Sequence, residues 1–488
     1  MKFIRDTAIT FSTHIITVVL ALAAAIVIAR VLGPEGKGAY SLIILVPTLL
    51  ALLGNLGMGI ANTYFGGSKK YNWNELVSNS LVSALVLGIL LAVAFLAYFL
   101  IFDPSFLQEI EPRCLVIATL VLPLSLLTSY FGYILLGQNR IKEFNLLGLV
   151  HGGVNVVLIL SVLLALKGGI FSVISAWAIA ALIAAILSVL LVRRTTNIRW
   201  SFHLLLFKNS VKFGVKGYLG GIIQFLNYRL DMFLVAFFMD VTFVGYYSIS
   251  VAMAEALWHF PGAVGTVIFA RMPGLSAEEA NRSTPRICRN TFFITILAAL
   301  ALFGLGKYII TLFFGAAFLP AVEPLWILLP GIVALSIPRV LTNEITGRGK
   351  PVIGTIAAGI SLAVNIPLNL VLIPRMGISG AALASTISYS VTALVVLVAF
   401  LRISGNSWAN TILLRREDLK LYTDAFSAAR NLDAKRVKSE ARAIMLEASS
   451  LLNPRFWLGG SLSTHNAPAG CGEAPINHQE RDKDSEEA

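Results

Sequence analysis

Charged residues are scarce in this chain: they make up 13% of its 488 residues, whereas hydrophobic residues make up 57%. In soluble domains about a quarter of the residues are charged, so a soluble fold of this composition could not cover its surface with polar groups. Cysteine is also rare. Cys114, Cys288 and Cys471 lie far apart, which predicts neither a disulfide framework nor a metal site. The composition is that of a membrane protein with many spans.

Signatures of enzymes are missing as well. The chain has no Gly-Lys-Ser/Thr loop that could cradle a nucleotide phosphate, so it is not expected to be its own ATPase. No predicted outside loop is long enough to house a glycosyltransferase or ligase active site. We therefore predict no catalytic residue and no cofactor. An integral-membrane enzyme, such as a glycan polymerase or ligase, is therefore the weaker class of function.

Long apolar stretches are abundant up to position 401, and stretches of about 20 residues are long enough to cross a bilayer. They predict twelve spans, numbered here in chain order: 7–29, 39–61, 76–102, 114–136, 144–166, 170–192, 213–238, 243–270, 291–314, 322–343, 352–373 and 378–401. Six of them fall in each half of the chain.

The two halves carry a sequence repeat. Gly137, Val154 and Asn155 recur 210 residues later as Gly347, Val364 and Asn365, and the segment 38–42 is echoed by 245–249 at an offset of 207. Because each half has an even number of spans, the repeats run parallel about an axis along the membrane normal. The predicted fold is thus all-α, with two six-helix lobes around a central cavity.

Lys and Arg are distributed unevenly about these spans. With the N-terminus inside, eighteen fall in inside segments, counting Lys216 at the inner end of span 7, and five in outside segments, leaving out the tail and three cations deeper within spans. This bias predicts a plasma (bacterial inner) membrane protein with both termini cytoplasmic. The net charge of +12 is explained by this excess of cations on the inside and does not indicate a nucleic-acid partner.

The predicted organisation follows from the spans and from a shift in composition after Leu401. It comprises an N-terminal lobe (1–192), a basic cytoplasmic connector at the lipid surface (193–212), a C-terminal lobe (213–401), an amphipathic helical cytoplasmic tail (402–452) and a polar end predicted to be disordered (453–488).

Ionisable side chains within the spans are candidates for function, since each costs at least about 2.5–3.5 kcal/mol at a helix centre. Glu255 lies near the middle of span 8, and His259 is one helical turn further in on the same face. Together they predict a site for a coupling proton or cation, and the alternative is a buried structural pair. Pro261 follows and is expected to kink the helix.

A second candidate group lies in the outer half of span 7. Arg229 and Asp231 are two residues apart, so they point to different faces and cannot simply neutralise each other. Arg229 suits a phosphate, because its planar fork binds two oxygens and never deprotonates. With it, Asn227 is predicted to bind substrate and Asp231 to bind the coupling ion. For Arg229 and Asp231, the alternative is snorkelling to the outer interface.

Two further arginines are candidate substrate ligands. Arg339, in span 10, is followed by Glu344, and the alternative for this arginine is an interfacial salt bridge. Arg30, at the outer end of span 1, could line an outer vestibule or serve as an anchor. The matched asparagines Asn155 and Asn365 are expected to form hydrogen bonds between helices and to be structural.

Residues 1–401 resemble polysaccharide flippases of the multidrug/oligosaccharidyl-lipid/polysaccharide exporter superfamily, and two signatures carry the resemblance. Residues 29–40 are similar to that family's Arg-Leu-Gly-Pro-Glu signature, and residues 229–231 with 244–248 are similar to its second-half signature. The resemblance implies two six-helix lobes around a cavity in which arginines meet the lipid phosphate. Here those would be Arg229, Arg339 and Arg30. The chain lacks spans 13 and 14 of the longer members.

We therefore predict a flippase that moves a polyprenyl-(pyro)phosphate-linked oligosaccharide across the inner membrane by alternating access coupled to H⁺ or Na⁺. The expected partners are that lipid-linked saccharide, membrane lipids and, through the tail, cytoplasmic glycan-assembly proteins. The alternative within transport is a cation-coupled exporter of amphipathic drugs, for which the arginines would be unhelpful.

Overall fold

The computed structural model describes residues 2–272 and 275–418, and every regular element in them is helical. The N-terminal lobe consists of α1 (Lys2–Asn55), α2 (Met58–Gly67), α3 (Trp73–Phe102), α4 (Pro112–Leu120), α5 (Leu122–Gly137), α6 (Ile141–Leu160) and α7 (Ile170–Arg193). The C-terminal lobe consists of α8 (Leu204–Phe238), α9 (Val241–Glu255), α10 (His259–Arg271), α11 (Ala277–Phe313), α12 (Val322–Gly347) and α13 (Val352–Ser404), and a short α14 (Trp408–Ile412) follows. Most of the predicted helical tail, and all of the predicted disordered end, lie outside the described residues.

Ten helical stretches of the described chain are long and apolar enough to cross a membrane, and two of them hold two spans each. Ser12–Asn55 has 44 residues and Val352–Ser404 has 53, whereas one crossing needs about 20. Each stretch contains a glycine with non-helical backbone angles, Gly33 at φ 68° and Gly377 at φ 60°. Residues with a Cβ rarely adopt such angles. The prediction of twelve spans, six in each half, is confirmed.

Span 8 departs from α-helical geometry before the proline that was expected to kink it. Helix α9 ends at Glu255, a 3₁₀ turn covers Ala256–Trp258, and α10 begins at His259. Pro261 lies in the first turn of α10, where the missing N–H of a proline needs no partner. Glu255 and His259 therefore lie on two helical segments rather than one.

The two lobes meet at a close crossing of α1 and α9, on the predicted outer side. A Cβ added to Gly38 would lie 1.8 Å from the carbonyl oxygen of Val241, and one added to Gly245 would lie 2.0 Å from that of Pro34. Positions 34 and 241 match at the same 207-residue offset as 38 and 245. The contact is thus reciprocal, as an axis between two parallel repeats requires.

The connector between the lobes is shorter than its predicted range, since α7 ends at Arg193 and α8 already begins at Leu204. Its backbone follows the first turns of α3. The amides of Asn197, Arg199 and His203 donate to the side chains of Asn74, Ser78 and Asn79, respectively, at 2.9, 3.3 and 3.1 Å. These bonds attach the connector to the N-terminal lobe.

Candidate substrate and ion sites

Two of the membrane-embedded charges singled out from the sequence are bound to each other. Nη1 and Nη2 of Arg229, on α8, donate to the two carboxylate oxygens of Glu255 at 2.6 and 2.8 Å. This two-point contact is the strongest geometry between a guanidinium and a carboxylate. The side chains are 28% and 17% exposed. Arg229 therefore carries a compensated charge rather than a free one.

Arg339, on α12, is a cation without an ion-pair partner in the part of the chain that the structure describes. The central carbon of its guanidinium lies 4.7 Å from the ring centre of Trp258 and 5.6 Å from that of Tyr228. Both distances are within the range of cation–π attraction. Its Nε atom is buried and has no hydrogen-bond partner among the described residues. This arginine keeps its charge and at least one N–H group for a ligand.

Aromatic rings surround that guanidinium. The ring of Tyr228 lies 4.7 Å from that of Trp258 and 5.6 Å from that of Tyr389, measured between centroids. The indole Nε1 of Trp258 is buried and, within residues 2–272 and 275–418, also lacks a hydrogen-bond partner. We call Arg339, Trp258, Tyr228 and Tyr389 the arginine–aromatic site. It combines a positive charge, two N–H groups without partners and apolar walls.

The salt bridge considered for Arg339 is not formed. Glu344 is fully buried and pairs with Arg348, whose guanidinium also donates to Asn281 at 2.7 Å. Residues four apart on a helix share a face, whereas residues five apart, such as Arg339 and Glu344, do not. The interfacial salt-bridge interpretation of Arg339 is therefore wrong.

His259 faces the N-terminal lobe rather than Glu255. Its ring lies edge-on to the ring of His14, on α1, with 5.3 Å between the centroids. The described residues show no hydrogen bond or ion pair between His259 and Glu255, so the predicted carboxylate–imidazole pair is not formed. A 3₁₀ turn, Ala256–Trp258, lies between the two residues. The two histidines instead join the lobes one residue beyond Trp258.

Asp231 is a buried carboxylate, only 1% exposed, and it has no ion-pair partner among the described residues. Its Oδ2 accepts hydrogen bonds from Tyr247 at 2.5 Å and from Ser385 at 2.9 Å, and its Oδ1 accepts one from the backbone of Met232 at 2.8 Å. The interpretation that Asp231 snorkels to the outer interface is thus wrong. The carboxylate points into the lobe, where its hydrogen-bond donors are two hydroxyl groups and one backbone amide.

Asn227 lies one helical turn before Asp231 on α8 and, like it, is hydrogen-bonded to α13 rather than to the arginine–aromatic site. Its amide nitrogen donates to Ser361 at 3.0 Å, and its carbonyl oxygen accepts from Ser388 at 2.8 Å. Both ends of the amide are thus occupied. The prediction that Asn227 binds substrate together with Arg229 is therefore corrected: Asn227 joins α8 to α13. We call Asn227, Asp231, Tyr247, Ser361, Ser385 and Ser388 the buried polar cluster.

Asn365 lies one turn beyond Ser361 on α13 and is also fully buried. Within residues 2–272 and 275–418 it forms no hydrogen bond to another helix, so the expected bond between helices is not found there. Asn369 of the same helix donates to its backbone and side-chain oxygens at 3.0 and 2.9 Å. The Oδ1 atom of Asn369 is buried and has no partner in the described chain. An unsatisfied acceptor therefore lies on the α13 side of the lobe.

Arg30 is an anchor between the lobes. Its Nε donates to the carbonyl oxygen of Phe313 at 2.9 Å, and its Nη2 donates to that of Leu312. These carbonyls end α11, where helix carbonyls lack partners and the helix dipole attracts a cation. A second polar contact lies at the same end, where the backbone of Val241 donates to Glu109 at 2.9 Å. The suggestion that Arg30 binds substrate is not supported by this geometry.

Several contributors to these sites were not predicted. Trp258 is one apolar residue among many in span 8, and nothing in its spacing distinguishes it. A signal existed for the hydroxyl groups, because Ser385, Ser388 and Thr392 fall on one face of span 12. No group of three or more His, Cys, Asp or Glu residues that could hold a metal ion occurs among the described residues.

Residues 27–323, more than half of the chain, match the family described as polysaccharide biosynthesis protein. A protein of Haloferax volcanii named as a probable low-salt glycan biosynthesis flippase, Agl15, is 26% identical over 187 residues, which are 38% of this chain and 39% of that protein. An uncharacterized membrane protein of Methanocaldococcus jannaschii is 27% identical over 192 residues, 38% of this chain and 37% of that protein. The chain thus spans less than two fifths of each of these relatives.

Solved structures share the fold. The lipid II flippase MurJ, in an inward closed conformation, superimposes with a TM-score of 0.69 at 18% identity and covers 81% of this chain and 89% of its own. An inward-facing multidrug resistance transporter of the MATE family and MOP superfamily gives a TM-score of 0.67 at 15% identity, covering 80% and 95%. At these identities the likeness shows the fold alone. It confirms the two-lobe, twelve-helix architecture.

Proposed function

The chain belongs to the polysaccharide biosynthesis protein family, and from that premise we propose that it is a flippase for a polyprenyl-(pyro)phosphate-linked oligosaccharide. Two proteins that it resembles, in sequence or in fold, are named as flippases, one of glycan biosynthesis and one of lipid II. The finer claims concern which residues meet the cargo, which bind an ion and how the lobes move. They rest on the geometry of this chain.

The arginine–aromatic site carries the proposal. A buried N–H without a partner costs free energy, so native structures rarely leave one unmatched. Here two of them, Arg339 Nε and Trp258 Nε1, belong to side chains in direct contact. A phosphate group supplies the acceptor oxygens that both lack, and it offsets the arginine charge. The neighbouring rings of Tyr228 and Tyr389 suit the apolar start of a polyprenyl chain.

We assign ion coupling to Asp231 rather than to Glu255 with His259. A carboxylate without an ion-pair partner is costly inside a membrane, and a bound proton or cation would offset that cost. The hydroxyl oxygens of Tyr247 and Ser385, both within hydrogen-bond distance of Asp231, are the ligand type that hard cations prefer. Either H⁺ or Na⁺ would satisfy the site. Glu255 is already neutralised by Arg229.

Alternating access would use the contacts at the predicted outer side. The bonds from Arg30 to α11 and from Val241 to Glu109, with the Gly38–Gly245 crossing, hold the lobes together at that end. They would have to separate for cargo to leave outward. The positive-inside bias supports this orientation, with both termini in the cytoplasm.

The second candidate function is a cation-coupled multidrug exporter, which the fold of the MATE-family transporter favours. Against it, the arginine–aromatic site holds the Arg339 guanidinium, which has no ion-pair partner among the described residues, whereas the nearby carboxylate of Glu255 is already paired with Arg229. A cationic drug would be repelled there. If the protein exports drugs, a strain lacking it would be more sensitive to them. If it is a flippase, the drug sensitivity of that strain would be unchanged.

The leaflet distribution of the native lipid-linked saccharide tests the proposal. In a strain lacking the protein, the saccharide should accumulate on the cytoplasmic leaflet, and a plasmid-borne copy should restore its outward appearance. A plasmid carrying Arg339→Gln should not restore it, whereas one carrying Lys307→Gln should, because Lys307 is an exposed cation. Normal appearance of the glycan in the deletion strain would overturn the proposal.

A further inference from the structure

A cavity of about 510 Å³ lies inside the N-terminal lobe, between α1, α5, α6 and α7. Its size falls within the ~300–1,000 Å³ typical of small-molecule sites. Seven of its lining residues carry hydroxyl groups, and none of the lining residues is Asp, Glu, Lys or Arg. Its wall therefore offers hydroxyl groups but no carboxylate, lysine or arginine, unlike the arginine–aromatic site.

The groups on its wall are poised to bind hydroxyl groups. Thr17 and Thr128 donate to helix carbonyls at 2.9 and 2.8 Å, so their oxygens keep lone pairs that can accept a further bond. His151 adds an imidazole nitrogen, Nε2, that is buried and unpartnered within the described residues. A ligand rich in hydroxyl groups matches these acceptors. A cationic drug would find no carboxylate here, and a phosphate would find no lysine or arginine.

One residue contact joins this cavity to the arginine–aromatic site. His14 lines the cavity and lies 5.3 Å from His259, which directly follows Trp258 in the chain. If a molecule places its phosphate beside Arg339 in the C-terminal lobe, the part attached to that phosphate would thus lie close to the hydroxyl-lined cavity of the N-terminal lobe. A lipid-linked saccharide has this division between a charged link and an uncharged sugar.

We propose that the N-terminal cavity is a subsite for an uncharged sugar ring of the cargo, with His151 as its buried hydrogen-bonding group. The inference rests on the proposed flippase function. It adds that the N-terminal lobe recognises the sugar part of the cargo. It assigns the two chemical parts of one substrate to different lobes.

Glycines on α6 provide matched variants. Gly148 lines the cavity, and a Cβ added there would meet no heavy atom within 4 Å, so Gly148→Leu should fill the cavity without displacing the helix backbone. Gly153, on the same helix, has equally open surroundings but does not line the cavity. Gly153→Leu is therefore the control. His151→Ala removes the buried nitrogen without filling space.

Binding to purified protein in detergent should be measured with four probes: undecaprenyl diphosphate alone, and the same lipid carrying N-acetylglucosamine, glucose or galactose. The wild type should bind at least one sugar-bearing lipid about tenfold more tightly than the bare lipid, the gain expected from one or two well-placed hydrogen bonds. Gly148→Leu and His151→Ala should each remove most of that gain and leave the affinity for the bare lipid unchanged. Gly153→Leu should keep the gain.

The outcomes separate the subsite from the function. Equal affinity of the wild type for all four probes, or a full gain retained by His151→Ala, would overturn the sugar subsite while leaving the flippase proposal standing. Failure of the wild type to bind any of the four would instead overturn the proposed function. Should Gly148→Leu not fold, as judged by size-exclusion chromatography, His151→Ala decides the result alone.

Discussion

The pair formed by Arg229 and Glu255 should tolerate joint replacement better than single replacement. At about 4 Å between charge centres and an effective dielectric constant of about 20, their attraction is about 4 kcal/mol. Partial exposure of the two side chains, 28% and 17%, reduces that value. We expect Arg229→Met or Glu255→Met alone to lower the free energy of unfolding by about 2–4 kcal/mol, because each strands one charge in the membrane. The double variant should lose less than either single one.

Unfolding in one fixed lipid–detergent mixture measures this cycle, with Lys307→Met as the control. Lys307 is an exposed cation that belongs to no ion pair among the described residues, so its loss should change stability by about 0.5 kcal/mol or less. Simple addition of the two single effects in the double variant would refute the pairing. The double variant should also bind undecaprenyl diphosphate as the wild type does, since the charge of Arg229 is already compensated by Glu255.

Three further predictions concern the anion site, the ion site and the lobe contact. Arg339→Lys should weaken binding of undecaprenyl diphosphate about tenfold in a fluorescence titration, because an ammonium lacks the Nε–H and the flat face that stacks on aromatic rings. Asp231→Asn should keep lipid binding but remove the dependence of transport on a Na⁺ or H⁺ gradient. If that dependence is unchanged, Asp231 is not the site that binds the coupling ion. Gly38→Ala should widen the outer end, measured by spin-label distances between the lobes, because its Cβ would lie 1.8 Å from a carbonyl oxygen. Gly304→Ala, in open surroundings, should not.

The fold was predictable because its determinants are local or periodic. Hydropathy sets the number of spans, and the offset repeat sets the relation of the lobes. The repeat also contains the lobe contact itself, since Gly38 and Gly245 are matched positions. The local geometry before Pro261 was not predictable, because proline marks where a helix can begin as well as where it can bend.

The sites were only partly predictable, because their contacts join residues far apart in the chain. Spacing rules on one helix correctly separate Arg229 from Asp231, but they cannot show that Glu255, 26 residues further on, reaches Arg229. The same rules paired His259 with Glu255, whereas its neighbour is His14 on the other lobe. A cavity lined by threonine and serine, without Asp, Glu, Lys or Arg, cannot be found by searching the spans for charged residues.

Transport by the purified protein tests the central claim most directly. Vesicles containing it should be loaded with a fluorescent undecaprenyl diphosphate sugar, and its leaflet distribution should be followed with a membrane-impermeant quencher after a Na⁺ or H⁺ gradient is imposed. The wild type should shift the lipid toward one leaflet under at least one gradient, and Arg339→Gln should not. Equal leaflet populations for the wild type under both gradients, or transport by Arg339→Gln at the wild-type rate, would contradict the account.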